Sequence, residues 1–357
     1  MPCRRVRYLV VTPESHHPQA GDRQTPRPLR RARLPRVVGG VIGLLAALLV
    51  AGPLASAQAQ TFPSRPIKVI VPFSAASATD AVAREVASRM SANWGQPVLV
   101  DNKPGASGIL AAVAAAKSPA DGYTLFFTSN TTQAANPSLF LNLPYDPVKD
   151  FAPVATAATA ANLLVVNPAL GVSSVKELIQ LAKSQPGKLS FAHGSSLSRV
   201  NGELLKSMAG IEIVGVAYKS NPQGVTDLLG GHVQMMFTDT VTALPHIKAG
   251  KLKALAIGSG QRSSLFPDTP TVAEAGVPGY ELSGWLAVFA PAGTPEDVLD
   301  KLHVEINRIL ALPEMRERLL LLGLDPLIRT RAQLGELLRS EIPKWARVTR
   351  EAGIKPE

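Results

Sequence analysis

The sequence has few of the residues and motifs on which most catalytic and metal-binding proteins depend. Its only cysteine is Cys3, so the rest of the chain has no disulfide, no thiol nucleophile and no cysteine metal site. The histidines lack the spacing of a zinc site; those beyond the N-terminal region are His193, His232, His246 and His303. Neither a P-loop nor a G-x-G-x-x-G motif occurs beyond residue 60. We therefore expect no metal and no cofactor.

Positive charge is also scarce once the N-terminal region is set aside. Nine of the 37 basic residues and two of the 27 acidic ones lie in residues 1–60, which leaves 28 against 25 and a net charge of +3. The basic character of the whole chain therefore belongs to its first 60 residues. Because the remainder has no basic patch, we expect no nucleic-acid partner. A mildly cationic body remains compatible with an anionic ligand.

The first 59 residues have the layout of an export signal. An arginine cluster that ends at Arg36 precedes an uncharged apolar run over residues 37–55, and A-x-A motifs follow at 55–57 and 57–59. We interpret residues 1–59 as a disordered leader plus a cleavable signal peptide, cut near Ala57 or Ala59, and expect a periplasmic protein. The alternative is an uncleaved membrane anchor, but glycines and a proline interrupt the apolar run.

Short runs rich in Val, Ile, Leu and Phe alternate with amphipathic segments from residue 67 onward, which predicts an α/β fold with mostly parallel sheets. We expect the first strand at residues 67–71 and Asp80 as the N-cap of the next helix. Ser174 and Glu177 form a capping-box pattern. Thr294 is expected to cap a helix that has Pro295 at its first position.

Nine strings, in order along residues 63–295, closely resemble one family, the substrate-binding receptors of tripartite tricarboxylate transporters, also called Bug-type periplasmic receptors. The first four are PSRPIKVIVPF (63–73), GQPVLVDNKPGASG (95–108), DGYTL (121–125) and NPSLFLNLPYDPVKDFAPV (136–154). The other five are SVKELIQLAK (174–183), TDLLGGHVQMMF (226–237), ALPHIKAGKLKALAI (243–257), PDTPTVAEAGVPGYE (267–281) and FAPAGTP (289–295).

The resemblance implies a two-lobed type II periplasmic-binding-protein fold, each lobe a mostly parallel sheet flanked by helices. Lobe 1 would comprise residues 60–162 and 285–357, and lobe 2 residues 163–284, with strands near 160–164 and 283–288 crossing between them. A small organic acid would bind between the lobes and pass to the membrane permease subunits of the transporter. We expect a monomer and no catalysis.

In the family, the loop after the first strand is rich in Pro and Gly, and its backbone N–H groups hold a ligand carboxylate, partly through water. The matching loop here runs from Phe73 to Asp80, and small residues replace most of the glycines: Ser74, Ala75, Ala76, Ser77, Ala78 and Thr79. Because Ala and Ser resist positive φ and close approach, we expect a tighter or differently shaped pocket. The alternative is an ordinary capped helix start.

The resemblance places further ligand-binding candidates after other strands. Those from the first part of the chain are Ser107, Thr128, Ser129, Asn130 and Thr131. Ser107 stands where the family commonly has Gly, and Gln133 where it commonly has His. For the Ser and Thr residues, ordinary helix capping is the alternative.

The candidates from the middle of the chain are His193, Ser195, Ser196, Arg199, Thr238 and Asp239. Arg199 could pair with a second ligand carboxylate or be a solvated helix residue. Thr238 stands where many relatives carry Asp, which weakens the expectation of an amino group on the ligand.

Two other functions compete with the transport receptor. One keeps the fold but makes the protein an orphan ligand-sensing subunit for a signalling partner. The other is a serine hydrolase, since Ser195, His193 and Asp239 are the residue types of a catalytic triad. However, no G-x-S-x-G motif occurs, and a Ser and a His two positions apart make a poor general-base pair.

Overall fold

The computed structural model describes residues 62–263 and 265–357, so the predicted leader, signal peptide and cleavage site lie outside the described residues. The first strand, β1, spans Ile67–Val71 as predicted. It pairs in parallel with β2 (Val98–Asn102) on one side and β3 (Thr124–Ser129) on the other. Helices α1 (Ala78–Trp94) and α2 (Ile109–Ala116) connect these three strands, which are therefore linked as βαβ units.

A π-helical turn over Thr131–Ala135 and the short helix α3 (Asn136–Leu139) lead to strand β4, Phe151–Val166. Beyond β4, helices and strands alternate again. They are α4 (Val175–Ser184), β5 (Ser190–His193), α5 (Ser196–Ala209), β6 (Val214–Ala217), α6 (Asn221–Leu229), β7 (Met235–Asp239), α7 (Thr240–Lys248) and β8 (Lys253–Ile257).

The chain then forms β9 (Ser283–Pro291), α8 (Glu296–Ala311), α9 (Pro313–Leu321), β10 (Leu324–Pro326) and α10 (Arg331–Glu351). The strand order is β2-β1-β3-β9-β4-β7-β5-β6, with β8 and β10 also paired to β4. Pairs among β1, β2 and β3 and among β5, β6 and β7 are parallel, as predicted. Every pair that includes β4 or β9 is antiparallel, so the sheet is mixed.

Strand β4 changes partners midway. Through Ala161 it pairs with β9, and from Asn162 it pairs with β7. The predicted boundary between residues 162 and 163 therefore falls beside this change, inside a continuous strand. The division into two lobes stays a prediction, since the described residues cluster as one compact unit.

Two predicted N-caps are wrong. Ser77, not Asp80, caps α1, because its side-chain oxygen accepts a hydrogen bond from the Asp80 N–H at 3.3 Å. Pro295, not Thr294, occupies the N-cap of α8, and the Thr294 hydroxyl donates to the Pro291 carbonyl.

Ser174 does cap α4, as predicted, but the box is only half formed. The Ser174 Oγ accepts from the Glu177 N–H at 3.2 Å. The Glu177 carboxylate, however, accepts from the N–H of Ser173 instead of Ser174.

Candidate functional site

A pocket with a cavity volume of about 40 Å³ lies where several helices begin. Nine of its lining residues belong to the predicted set: Phe73, Ser77, Ala78, Thr79, Ser129, Asn130, Thr131, Ser195 and Asp239. Seven others were not predicted: Ala160, Asn162, Leu197, Ser220, Asn221, Trp285 and Leu286. The lining combines apolar walls with small polar groups.

The N-caps of four helices line this pocket. They are Ser77 of α1, Ser195 of α5, Ser220 of α6 and Asp239 of α7. Each of these helices has at least nine residues, so each carries partial positive charge at its N-terminus together with N–H groups that lack partners within the helix. Four such ends at one pocket create an environment that favours an anion.

No Lys, Arg or His is among the residues that line the pocket, and its one charged side chain is Asp239. The Asp239 Oδ1 accepts from both the N–H and the hydroxyl of Thr242, and its Oδ2 accepts from Asn221 Nδ2 at 3.0 Å. The carboxylate is thus held by α7 and α6. Positive potential in the pocket comes from backbone dipoles rather than from side-chain cations.

The loop from Phe73 to Asp80 reaches a glycine-like shape without glycine. Ala76 has φ of 65°, in the left-handed region that alanine rarely adopts. Asp80 holds this shape from beneath the loop, because its carboxylate accepts from the N–H of Ala76, from Arg84 Nε and from Asn102 Nδ2. Ser74, Ala75, Ala76 and Asp80 do not line the pocket, whereas Phe73, Ser77, Ala78 and Thr79 do.

Ser107 lies behind the pocket instead of lining it. It too has positive φ, 48°, at a position where the family commonly has glycine. Its carbonyl accepts from Asn136 Nδ2 at 3.1 Å. The Asn136 Oδ1 in turn accepts from the Ser196 hydroxyl at 2.7 Å. Ser107 and Ser196 therefore belong to a buried hydrogen-bond network that joins the π-helical region to α5.

The segment after β3 is divided between the pocket and the interior. Ser129, Asn130 and Thr131 line the pocket. Thr128 turns away from it, because its hydroxyl bonds to that of Thr132 at 2.7 Å. Gln133 is completely buried and does not line the pocket either; neither atom of its amide has a partner among the described residues.

His193 and Arg199 do not reach the pocket. The His193 ring packs against Phe191, and burial, with help from the positive charge of Arg199, lowers the pKa of His193 from 6.5 to about 4. Arg199 donates to the Glu357 carboxylate at 2.6 Å. This ion pair engages its guanidinium, so it lies away from the pocket.

Thr238 and Asp239 are adjacent on β7 and so point to opposite faces. Asp239 lines the pocket and Thr238 is fully buried outside it. The triad suggested by residue type does not form either. Ser195 Oγ caps α5 by accepting from the Ser198 N–H, and no hydrogen bond joins Ser195, His193 and Asp239 in the described ranges.

Two of the missed pocket residues had a detectable signal. Ser220 and Asn221 precede Pro222, which is a helix-start pattern of the kind that predicts an anion-facing N-terminus. Asn162 interrupts an apolar run, and Trp285 lies in another, but neither pattern distinguishes a pocket residue from an ordinary buried one. Their position in the pocket depends on the antiparallel pairing of β4 with β9.

Within residues 62–263 and 265–357, no helix is both long and apolar enough to cross a membrane. The same part of the chain contains no group of three or more His, Cys, Asp or Glu side chains arranged to hold a metal ion.

Comparison with known proteins identifies close relatives over most of the chain. The sequence profile of the "Tripartite tricarboxylate transporter family receptor" matches residues 82–354. Protein BugT from Bordetella pertussis is 39% identical over 318 residues, which cover 88% of this chain and 97% of BugT.

Solved structures agree. Rpa4515 of R. palustris, determined with adipate, has a TM-score of 0.81 and 35% identity, covering 83% of this chain and 100% of that one. MatC from Rhodopseudomonas palustris, with bound malate, has a TM-score of 0.76 and 34% identity, covering 80% of this chain and 99% of its own.

Proposed function

The chain belongs to the tripartite tricarboxylate transporter receptor family, and from that premise we propose that it captures a small organic carboxylate in the pocket described above and delivers it to a membrane permease. The proposal makes it a periplasmic solute receptor and not an enzyme. Its ligand would bind between two lobes, residues 60–162 with 285–357 and residues 163–284, which close around it by a hinge motion.

The observation that carries the proposal is the convergence of four helix N-termini on one pocket without side-chain cations. A carboxylate at the start of α1 would accept hydrogen bonds from N–H groups of Ala78 and Thr79. Neither N–H has a partner in the helix, because both lie in its first turn. Two neighbouring structures, one with adipate and one with bound malate, support a carboxylate as the bound group.

A carboxylate panel tests the binding step by thermal unfolding. We expect at least one mono- or dicarboxylate to raise the melting temperature, since a ligand at about 100 times its Kd stabilises the native state by about 2.7 kcal/mol. Neutral amides of the same acids should have no effect. If no organic acid stabilises the protein, the proposal is wrong.

A negative charge introduced on the pocket wall tests whether the acid binds in this pocket. Asn130→Asp keeps the shape of the side chain but places a second carboxylate on the pocket wall, so we expect it to weaken acid binding at least about 10-fold. Asn307→Asp is the matched control, because it makes the same substitution on α8, outside the pocket. Equal affinities for the two variants would contradict a carboxylate in this pocket.

Transport and sensing differ in what cells lose without the protein. If it serves a permease, a deletion strain should take up the identified acid more slowly. A variant of the protein that cannot be exported should not restore uptake. If uptake is unchanged while transcription in response to the acid is lost, the sensing alternative is supported.

Mass spectrometry of the periplasmic protein should show an N-terminus near Gln58 or Gln60 and a monomeric mass under native conditions.

A further inference from the structure

Helix α5 is attached at its start to a short segment from another part of the chain. That segment is residues 136–141, which we call the anchor segment. The Ser196 hydroxyl, in the first turn of α5, donates to Asn136 Oδ1 at 2.7 Å. Both side chains are fully buried. Because a buried hydroxyl that loses its partner stays desolvated, this hydrogen bond fixes the first turn of α5 against Asn136.

A second contact joins α5 to the same segment through Glu357. Arg199, three positions further along α5 than the buried contact, donates to the Glu357 carboxylate at 2.6 Å. The Glu357 N–H donates to the Leu139 carbonyl at 3.0 Å, and the Glu357 carbonyl accepts from the Leu141 N–H at 2.8 Å. In the described part of the chain, Glu357 is the one carboxylate within salt-bridge distance of Arg199. The ion pair therefore ties α5 to a residue whose backbone is held by the anchor segment.

These contacts adjoin two stretches of chain that line the pocket. Ser195, the N-cap of α5, lines the pocket and directly precedes Ser196. The anchor segment directly follows the π-helical turn, and Thr131 at the start of that turn lines the pocket as well. Neither Asn136 nor Glu357 is among the lining residues. The two contacts thus hold two parts of the pocket wall together from outside it.

The contacts also cross the predicted boundary between the lobes. The anchor segment and Glu357 belong to the predicted lobe 1, and α5 belongs to the predicted lobe 2. Ser198, also in the first turn of α5, differs in this respect. Its hydroxyl is fully buried too, but it donates to the Phe237 carbonyl on β7, within the predicted lobe 2. Of these two buried hydroxyls, the one that joins α5 to the other predicted lobe is that of Ser196.

We propose that Asn136 and Glu357 are positioning residues for ligand binding. Through Ser196 and Arg199 they hold the start of α5 against the segment that carries Thr131, so that the N-terminal N–H groups of α5 stay directed at the pocket. When the start of α5 moves away, the apparent affinity falls with the fraction of molecules that keep the binding arrangement. This inference rests on the proposed function, because it takes the pocket as the carboxylate site.

Two serine variants of the same helical turn test the buried contact by calorimetric titration. The probe is adipate or, where adipate does not bind, the acid of the thermal panel that gives the largest shift. Ser196→Ala should weaken its affinity about 5-fold, because the removed hydroxyl joins the two predicted lobes. Ser198→Ala is the matched control and should stay within about 2-fold of the wild type. Both variants lose a buried hydrogen bond, so a role in stability alone would not separate their affinities.

Two exposed glutamates test the ion pair. Glu357→Gln should weaken the affinity for the same acid about 2- to 3-fold, and the difference from the wild type should vanish in about 1 M NaCl, which screens exposed charges. Glu351→Gln is the control and should leave the affinity unchanged. Its carboxylate is equally exposed, 61% in both residues, but it pairs with Arg347 inside α10. Exchange of the two charges, Arg199→Glu with Glu357→Arg, should restore part of the lost affinity.

A double-mutant cycle shows whether Asn136 acts through Ser196. Asn136→Ala should weaken the affinity at least as much as Ser196→Ala, and the combined variant should bind no more weakly than Asn136→Ala alone. If Asn136→Ala does not fold, the comparison of Ser196→Ala with Ser198→Ala carries the test.

The outcomes separate the two proposals. If no acid binds to the wild-type protein, the proposed function fails and the inference with it. If an acid binds but the two serine variants lose affinity equally, or Glu357→Gln keeps the wild-type affinity, the inference alone is overturned. Additive losses in the double-mutant cycle would also contradict it.

Discussion

Ala76 pays a conformational cost that a glycine would not. Its φ of 65° lies in the left-handed region, where a β-carbon costs about 1–2 kcal/mol, although glycine loses more entropy on folding, about 0.5–1 kcal/mol. We therefore predict that Ala76→Gly raises the free energy of unfolding by about 0.5–1 kcal/mol. Chemical denaturation measures the change.

The neighbouring residue provides the control for this prediction. Ala75 is also exposed, and its φ is not positive. Ala75→Gly should therefore lower the free energy of unfolding, because only the entropic penalty remains. Stabilisation by both glycines, or by neither, would contradict the strain at Ala76.

His193 makes stability depend on pH. Its pKa is lowered from 6.5 to about 4 in the folded protein, mainly by burial and also by Arg199, while Glu357 acts in the opposite direction. Between these values the unfolded chain binds the proton and the folded protein does not. Stability from this group is complete above pH 6.5 and is lost as the pH falls toward 4.

Thermal unfolding of His193→Gln between pH 4 and 7 tests this effect. The wild-type protein should lose stability on the order of 1 kcal/mol per pH unit more steeply than the variant in this interval. The difference between the two curves removes the contribution of carboxylates, which titrate in both proteins. Parallel curves would show that His193 is protonated as easily in the folded state as in the unfolded one.

At the residue level, position in the pocket could be predicted where it follows from local backbone geometry. Ser77, Ala78 and Thr79 line the pocket because they directly follow a strand and begin a helix, and both features are visible in sequence. Arg199 shows the limit. Whether it faces a ligand depends on Glu357, which lies 158 positions away and occupies its guanidinium.

At the scale of elements, two serines at helix N-caps have different tasks. Ser174 caps α4 with its own side chain. Ser220 occupies the N-cap of α6 without a side-chain cap, and its hydroxyl accepts from the Ser74 N–H at 3.2 Å. It thereby connects the loop after β1 to α6 beside the pocket. The Thr242 hydroxyl makes a second contact, to the Ala76 carbonyl at 3.4 Å.

The two serines should therefore respond differently to alanine. We predict that Ser220→Ala weakens ligand affinity roughly 2–10-fold, because the contact between the loop after β1 and α6 loses one hydrogen bond. Ser174→Ala should lower the free energy of unfolding by about 1 kcal/mol without changing affinity. Calorimetric titration and denaturation of both variants measure this contrast, and an unchanged affinity for Ser220→Ala would refute the connecting role.

Most elements could be predicted from sequence because their apolar patterns are strong. The strand at residues 67–71 has the predicted bounds. The first part of β4 was not predicted, since residues 151–161 are rich in alanine, which has low strand propensity. Pro153 and two irregularities in the pairing with β9 weaken the local pattern further.

At the scale of the whole molecule, strands β4 and β9 connect the parts of the chain that the sequence assigned to two lobes. Those assignments came from the family resemblance and stay a prediction; β4 pairs with β9 before residue 162 and with β7 from residue 162 onward. The pocket lies beside this crossing, with Asn162 and Trp285 contributed by the two strands. Neither could be predicted as a pocket residue, because the two come together only through the pairing of β4 with β9, which are far apart in sequence.

Gly284, on β9 at this crossing, lies between the two predicted lobes. A β-carbon there would overlap Asn130 Oδ1 and lie 2.8 Å from Leu197 Cδ2. Asn130 follows β3, in the predicted lobe 1, and Leu197 is on α5, in the predicted lobe 2. The absence of a side chain at residue 284 therefore allows the two to approach each other, and a methyl group would force them apart.

We predict that Gly284→Ala lowers ligand affinity at least about 10-fold, since such an overlap within a packed region costs about 1–3 kcal/mol. Small-angle scattering should show that the wild-type protein becomes more compact when the ligand is added and that Gly284→Ala does not. Gly335→Ala is the control, because a β-carbon there has only ordinary contacts, at 3.5 Å or more, and α10 gains a better helix former. If Gly284→Ala binds the ligand and becomes compact like the control, the two lobes do not close at this crossing.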